Sequence, residues 1–257
     1  MTSVLLIDPQ FGAHGLGLVE PLIPGARTWP ASTVNSIMAL VQAEDALTGI
    51  RAETAPARTM VARAAGCNTA ARLLTDGIAA RVLLIDPVST STADDGFGRA
   101  SRVDRHFFER LAEAKKTAPD PSDAAVLMDP LFKRGRLPEA AYELAARGLS
   151  RRPEIRARLE ASLRAVEELR QPYDERRWPP AAVEPDFDWL TNLREQPSGS
   201  ATVWLSHDAE GHPPAAQRDY LATALPAVDV VAQPWEEYDF MADPAPLAAA
   251  LRNWLAG

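Results

Sequence analysis

Only one cysteine, Cys67, occurs in 257 residues, so no internal disulfide can form and the thiol content calls for no oxidising compartment. Positive charge is also short. Lys and Arg number 27 against 35 Asp and Glu, a formal charge of -8 with no basic stretch, which argues against a nucleic-acid partner or an anionic membrane. Long apolar runs are missing as well: Val4-Leu5-Leu6-Ile7 is too short for a membrane span or a signal peptide and follows no basic leader. These absences give the expectation of a cytoplasmic protein, monomer or homodimer, whose partner is a small-molecule substrate or ligand.

What is present is an alternation of short apolar runs with helical patterns. Val4 to Ile7 has no polar alternation, as expected of a central strand buried on both faces of a parallel sheet. Ala26 to Pro30 reads as a second strand, and a helix capped by Ser32 or Thr33 runs to about Thr48 and closes at Gly49. Thr59-Met60-Val61 leads through the small residues Ala62 to Cys67 into a helix from Asn68 to Asp76, a break at Gly77, and the run Val82 to Ile85. Repeated βαβ units of this kind predict a doubly wound, mostly parallel sheet.

After Pro87 the pattern is helical only, with candidate helices Val103–Lys116, Pro121–Phe132, Pro138–Ala146 and Pro153–Leu169 separated by Pro and Gly. The core is therefore expected over 1–87 and 186–257, with a helical lid inserted over 88–185. Main-domain signals resume with a helix or turn near Phe187 to Leu193, a strand at Ala201 to Ser206, a final edge strand at Val228 to Ala232 and a closing helix from Pro244 to Leu255.

The stretch Ala62-Arg63-Ala64-Ala65-Gly66, set between a strand and a helix, resembles the nucleophile elbow G-x-S-x-G of the α/β-hydrolase superfamily, where small residues let the chain turn sharply. The resemblance extends weakly over most of the chain and implies the α/β-hydrolase fold with its lid. It also puts Ala64 at the position of the nucleophilic serine, and a methyl group cannot attack a carbonyl. Ala65, the next residue, is expected to face the substrate. Where the family commonly has His-Gly after its first central strand, Asp8-Pro9 stands here; proline offers no N–H and a carboxylate repels an oxyanion. His14-Gly15 comes later in the same loop, and His14 is read either as substrate-facing or as an exposed loop residue. The family's acid position falls on Asp208 or Glu210, and Asp239, beside Tyr238, stands where its histidine is usual.

Other residues invite chemistry less directly. Phe107 and Phe132 are pocket candidates if they are not lid core. Cys67 fits a shifted elbow frame and is an alternative nucleophile, but no histidine follows to serve as its base. His207 and His212 near Asp208 and Glu210 suggest metal ligands, yet no distant further ligand accompanies them, so neither a metal nor another cofactor is expected. The resulting picture is an α/β-hydrolase-like enzyme working by acid-base or proximity chemistry through Asp239, Asp208, Tyr238 and Asp8, with Asp86 read either as converging on the same strand ends or as a cap ahead of the lid. The alternatives are a silent binding member and a hydrolase built on Cys67.

Overall fold

A computed structural model describes residues 3–8, 14–29, 59–64, 66–87, 146, 150, 152–170, 189–207 and 214–257. Among them six strands form one parallel sheet: β1 (Val4–Ile7), β2 (Ala26–Trp29), β3 (Thr59–Arg63), β4 (Arg81–Ile85), β5 (Ala201–His207) and β6 (Asp229–Glu236), in the order β2-β1-β3-β4-β5-β6. The described α-helices are α1 (Gly66–Thr75), α2 (Pro153–Arg170), α3 (Trp189–Leu193), α4 (Ala215–Ala224), α5 (Asp239–Ala242) and α6 (Ala245–Ala256).

The continuous apolar runs are explained by what lies on each face of the sheet. Successive strand side chains point to opposite faces. Leu5, Ile7, Met60, Ala62, Val82, Leu84 and Val203 join Trp189, Leu193 and Leu221 in one buried cluster, covered by α1, α3 and α4. The intervening Leu6, Val61, Leu83, Ile85 and Trp204 join a second cluster with Leu16, Ile155, Leu159, Phe240, Met241 and Leu251 on the opposite face. Helices on both faces of a parallel sheet make the fold doubly wound, as the sequence pattern predicts. Three of the described elements go beyond the sequence reading: a 3-10 helix at Leu16–Leu22, the helix α4 and the short helix α5.

Several boundaries also move. The edge strand β6 runs four residues further than the apolar pattern, to Glu236, because its edge position demands fewer apolar residues. Of the expected lid, α2 is described, and its Ile155 and Leu159 are buried against the sheet face with Phe240 and Met241. The helices expected at Ser32–Thr48 and from Val103 to Phe132 lie outside the described residues.

The topology fixes where a ligand belongs. From β1 the chain goes outward to β2 and then returns to the other side of β1 for β3, so β1 and β3 flank a topological switch point. In open α/β sheets ligands bind outside the carboxyl ends of the strands at such a point. The residues ending β1 and β3 are Ile7-Asp8 and Arg63-Ala64.

Candidate active site

Ala64 makes the turn from β3 into α1. Its φ of 48 lies in the left-handed region, where an L-residue with a Cβ is strained. The turn is held by the Ala64 N–H, which donates to Ile85 O at 3.1 Å, and by the Cys67 N–H, which donates to Ala64 O at 3.1 Å. The apex residue of this elbow thus carries only a methyl group. Ala64→Gly should leave the fold unharmed or stabilise it by up to about 1 kcal/mol, because glycine adopts this φ without strain. A urea midpoint that falls in Ala64→Gly would show that the methyl contact outweighs the backbone strain.

Around the apex four strand ends bring charged groups together. Arg63 is fully buried, and its Nη2 donates to Glu237 Oε1 at 2.7 Å, joining the end of β3 to the residue after β6. Its guanidinium lies over the Tyr238 ring, 4.6 Å from the centroid, and 5.5 Å from that of Phe240. Burial alone would lower the Arg63 pKa, but Tyr238 and the carboxylates of Glu237, Asp8 and Asp86 more than offset it, so the charge is secure.

Asp86 follows β4 directly and is half-buried, with φ 47. Its carboxylate accepts from Ser206 N at 2.7 Å and from Ser206 Oγ at 2.8 Å. Burial first, and then the Glu237 charge, raise its pKa from the ordinary 3.8 to about 7, although the Ser206 bonds and Arg63 pull the other way. It is a carboxyl poised between its two protonation states near neutral pH.

The residues expected from sequence fall into three groups. Asp8 and Tyr238 belong to the cluster around Arg63. Asp8 is fully buried, and its Oδ2 accepts from Leu16 N at 2.9 Å, so it also supplies an acceptor to the open first turn of the 3-10 helix. Burial, followed by the Glu237 charge, holds the Tyr238 phenol well above its usual range.

The second group is placed elsewhere or otherwise engaged. Asp239 opens α5, is ion-paired with Arg152 of the α2 N-terminus, and accepts from Glu236 N at 3.0 Å. The residue after β6 that reaches Arg63 is Glu237, two positions earlier. His14 is half-buried just ahead of the 3-10 helix. The Cys67 thiol is fully buried among Met60, Ala62 and Leu84, on the sheet face opposite Tyr238 and Phe240, and its single S–H is shared between Ala62 O at 3.5 Å and Ile85 O at 3.6 Å. Burial, and then Asp86, push it well above the usual thiol range, which disfavours the thiolate.

Ala65, Phe107, Phe132, Asp208, Glu210 and His212 form the third group, outside the described residues. Among the described residues no group of three His, Cys, Asp or Glu side chains could hold a metal, and no helix is long and apolar enough to cross a membrane. Asp86 stands in the cluster as one of the acids expected at the strand ends, whereas Arg63, Glu237 and Ser206 were absent from the expected site. A charged residue inside the small-residue cluster at 62–67 was the available signal for Arg63.

No protein-family profile matches the chain, and no curated protein matches it by sequence. Its three-dimensional relatives are informative. Haloalkane dehalogenase DbeA from Bradyrhizobium elkani USDA94 superposes with a TM-score of 0.56 at 16% identity, covering 100% of this chain and 90% of that one. Esterase RhEst1 from Rhodococcus sp. ECU1013 gives 0.53 at 13% identity over 100% and 91% of the two chains. The hydrolase olei00960 from Oleispira antarctica gives 0.53 at 12% identity over 100% and 92%. At such identities the likeness speaks to architecture, and it agrees with the six-stranded parallel sheet and its flanking helices: this chain has the α/β-hydrolase fold.

Proposed function

We propose that the protein is an enzyme that acts on a small, largely apolar molecule by proton transfer, without a covalent acyl intermediate, in an elimination, cyclisation, isomerisation or hydration. The observation that carries this reading is the pairing of a methyl-bearing elbow apex, Ala64, with a carboxyl on the next strand, Asp86, whose pKa is about 7. General acid-base groups work best with proton affinity near the operating pH, and a raised carboxyl beside a fixed cation fits that role. Asp86 is the proton carrier in this scheme, and Arg63 fixes the local charge. Asp208 remains a candidate second acid in the loop after β5.

The test is a pre-steady-state assay with p-nitrophenyl acetate. No burst of p-nitrophenol is expected, from the wild type or from Cys67→Ala. A burst stoichiometric with enzyme and lost in Cys67→Ala would overturn the reading in favour of a covalent route through Cys67.

The second reading, a silent member that binds a small molecule, draws on a specific feature. Asp8 and Asp239 are each engaged in hydrogen bonds that build structure, Asp8 to the 3-10 helix and Asp239 to Arg152 and the β6 backbone. Under that reading Asp86 is an inter-strand tie to Ser206.

A further inference from the structure

Arg63 is the one side chain of the site whose hydrogen-bonding capacity is visibly incomplete among the described residues. Nη2 is bound by Glu237 and the Tyr238 phenol also acts on the guanidinium, but Nε and Nη1 are buried and make no hydrogen bond of good geometry among those residues. A guanidinium carries five N–H donors in a fixed fork. Leaving buried donors without acceptors costs more than an ordinary hydrogen bond gains, so such groups call for an explanation. The place of this one supplies it: Arg63 ends β3 beside the switch point, where open α/β sheets hold their ligands.

The surrounding charge says what kind of acceptor is wanted. Asp8, Asp86 and Glu237 all act electrostatically on Arg63. Three carboxyl groups already face one cation, so an anionic ligand would bring a further negative charge into a buried cluster. A neutral oxygen brings lone pairs without charge. Tyr238 and Phe240, both buried against the guanidinium, make its surroundings apolar, which suits an apolar body carrying that oxygen.

We infer that Arg63 is the binding residue for a neutral carbonyl oxygen, so that the ligand is a ketone or another uncharged carbonyl compound on an apolar body. This rests on the proton-transfer reading of the same site and names the group its substrate carries. With the carbonyl oxygen on Arg63, the adjacent C–H is acidified. The Asp86 carboxylate takes that proton, the C–H electron pair becomes a C=C bond, and the carbonyl π pair moves onto oxygen beside the guanidinium. Where the ligand also carries a C=C bond one carbon further along, the pair is shared with its far carbon, and return of the proton there gives the conjugated isomer with no oxidant or co-reactant.

The experiment compares three probes of similar size, acetophenone, benzoate and ethylbenzene, by ligand-observed NMR titration of the intact protein. Acetophenone should bind about tenfold tighter than either of the others, as one hydrogen bond to a charged donor allows. The preference should vanish in Arg63→Met/Glu237→Gln, a pair of changes that leaves neither member of the ion pair facing a lost partner. Should that variant not fold, the infrared carbonyl stretch of 13C-labelled acetophenone on the wild type decides. A stretch below that in water supports donation from Arg63, and one above it overturns the inference. Benzoate binding best, equal binding of all three, or binding of none would also overturn it. These are equilibrium readouts, so they separate this inference from the absence of an acyl burst, which tests the proton-transfer reading.

Discussion

Replacing Glu237 by Ala is expected to cost the fold about 3 kcal/mol, the lower end of what removing one partner of a buried ion pair costs. Arg63 is fully buried whereas the Glu237 side chain is 28% exposed, so the change strands the guanidinium, not the carboxylate. Asp8 and Asp86 still oppose the charge electrostatically, which is why the expected loss is not larger. Arg63→Met/Glu237→Gln should recover part of it, since methionine fills the space and removes the stranded guanidinium, while the buried Asp8 loses its counter-charge. The measurement is the urea midpoint of the single and double variants with the slope held constant. A Glu237→Ala midpoint within about 0.5 kcal/mol of wild type would mean that the pair contributes nothing beyond an exposed contact.

Asp86→Asn is expected to remove a pH dependence. The unfolded chain releases this proton near the ordinary 3.8 and the folded chain near 7, so between those values the folded state binds more protons. Stability therefore falls as pH rises through that window, and the contribution of Asp86 is most favourable below it. Asparagine keeps the size and an oxygen for the Ser206 N–H, while the Ser206 hydroxyl turns to accept from the new amide. The variant should match the wild type near pH 4 and exceed it above pH 7 by on the order of 2 kcal/mol, after discounting for the partial exposure of Asp86. If proton transfer is its work, turnover of the native substrate should fall by about two to four orders of magnitude in the same variant. Parallel stability profiles for the two proteins, measured from pH 4 to 8, would remove Asp86 as the titrating group.

The fold was legible because its evidence is local. Val4 to Ile7 and Val82 to Ile85 are apolar at every position, and only burial on both faces explains such strands. The turn at Ala64 follows from small flanks between a strand and a helix, a pattern contained in five residues. The site was legible only in part, because its contacts are not local. Arg63 and Glu237 lie 174 residues apart, and nothing near either one marks the other as its partner. Asp239 drew notice because it stands where the resembled family's histidine is usual, but the turn after β6 leaves Glu237 by Arg63 and carries Asp239 to Arg152. Asp86 was visible as an acid after a strand, yet its proton affinity depends on burial and on Glu237, neither of which has a sequence signature.

Adjacent in space, β4 and β5 are the most distant neighbours in the chain: more than a hundred residues lie between Ile85 and Ala201. The entropy of closing such a loop grows only with the logarithm of its length, so doubling the intervening segment adds about 0.6 kcal/mol. Register across the seam is fixed by Val82, Leu83, Leu84 and Ile85 against Ala201, Thr202, Val203 and Trp204, not by what connects them. Natural variation can therefore lengthen, trim or exchange that segment at small thermodynamic cost, while the carboxyl ends of the strands, with Arg63 and Asp86, stay where they are. The seam is the place where this architecture can acquire new specificity without being rebuilt.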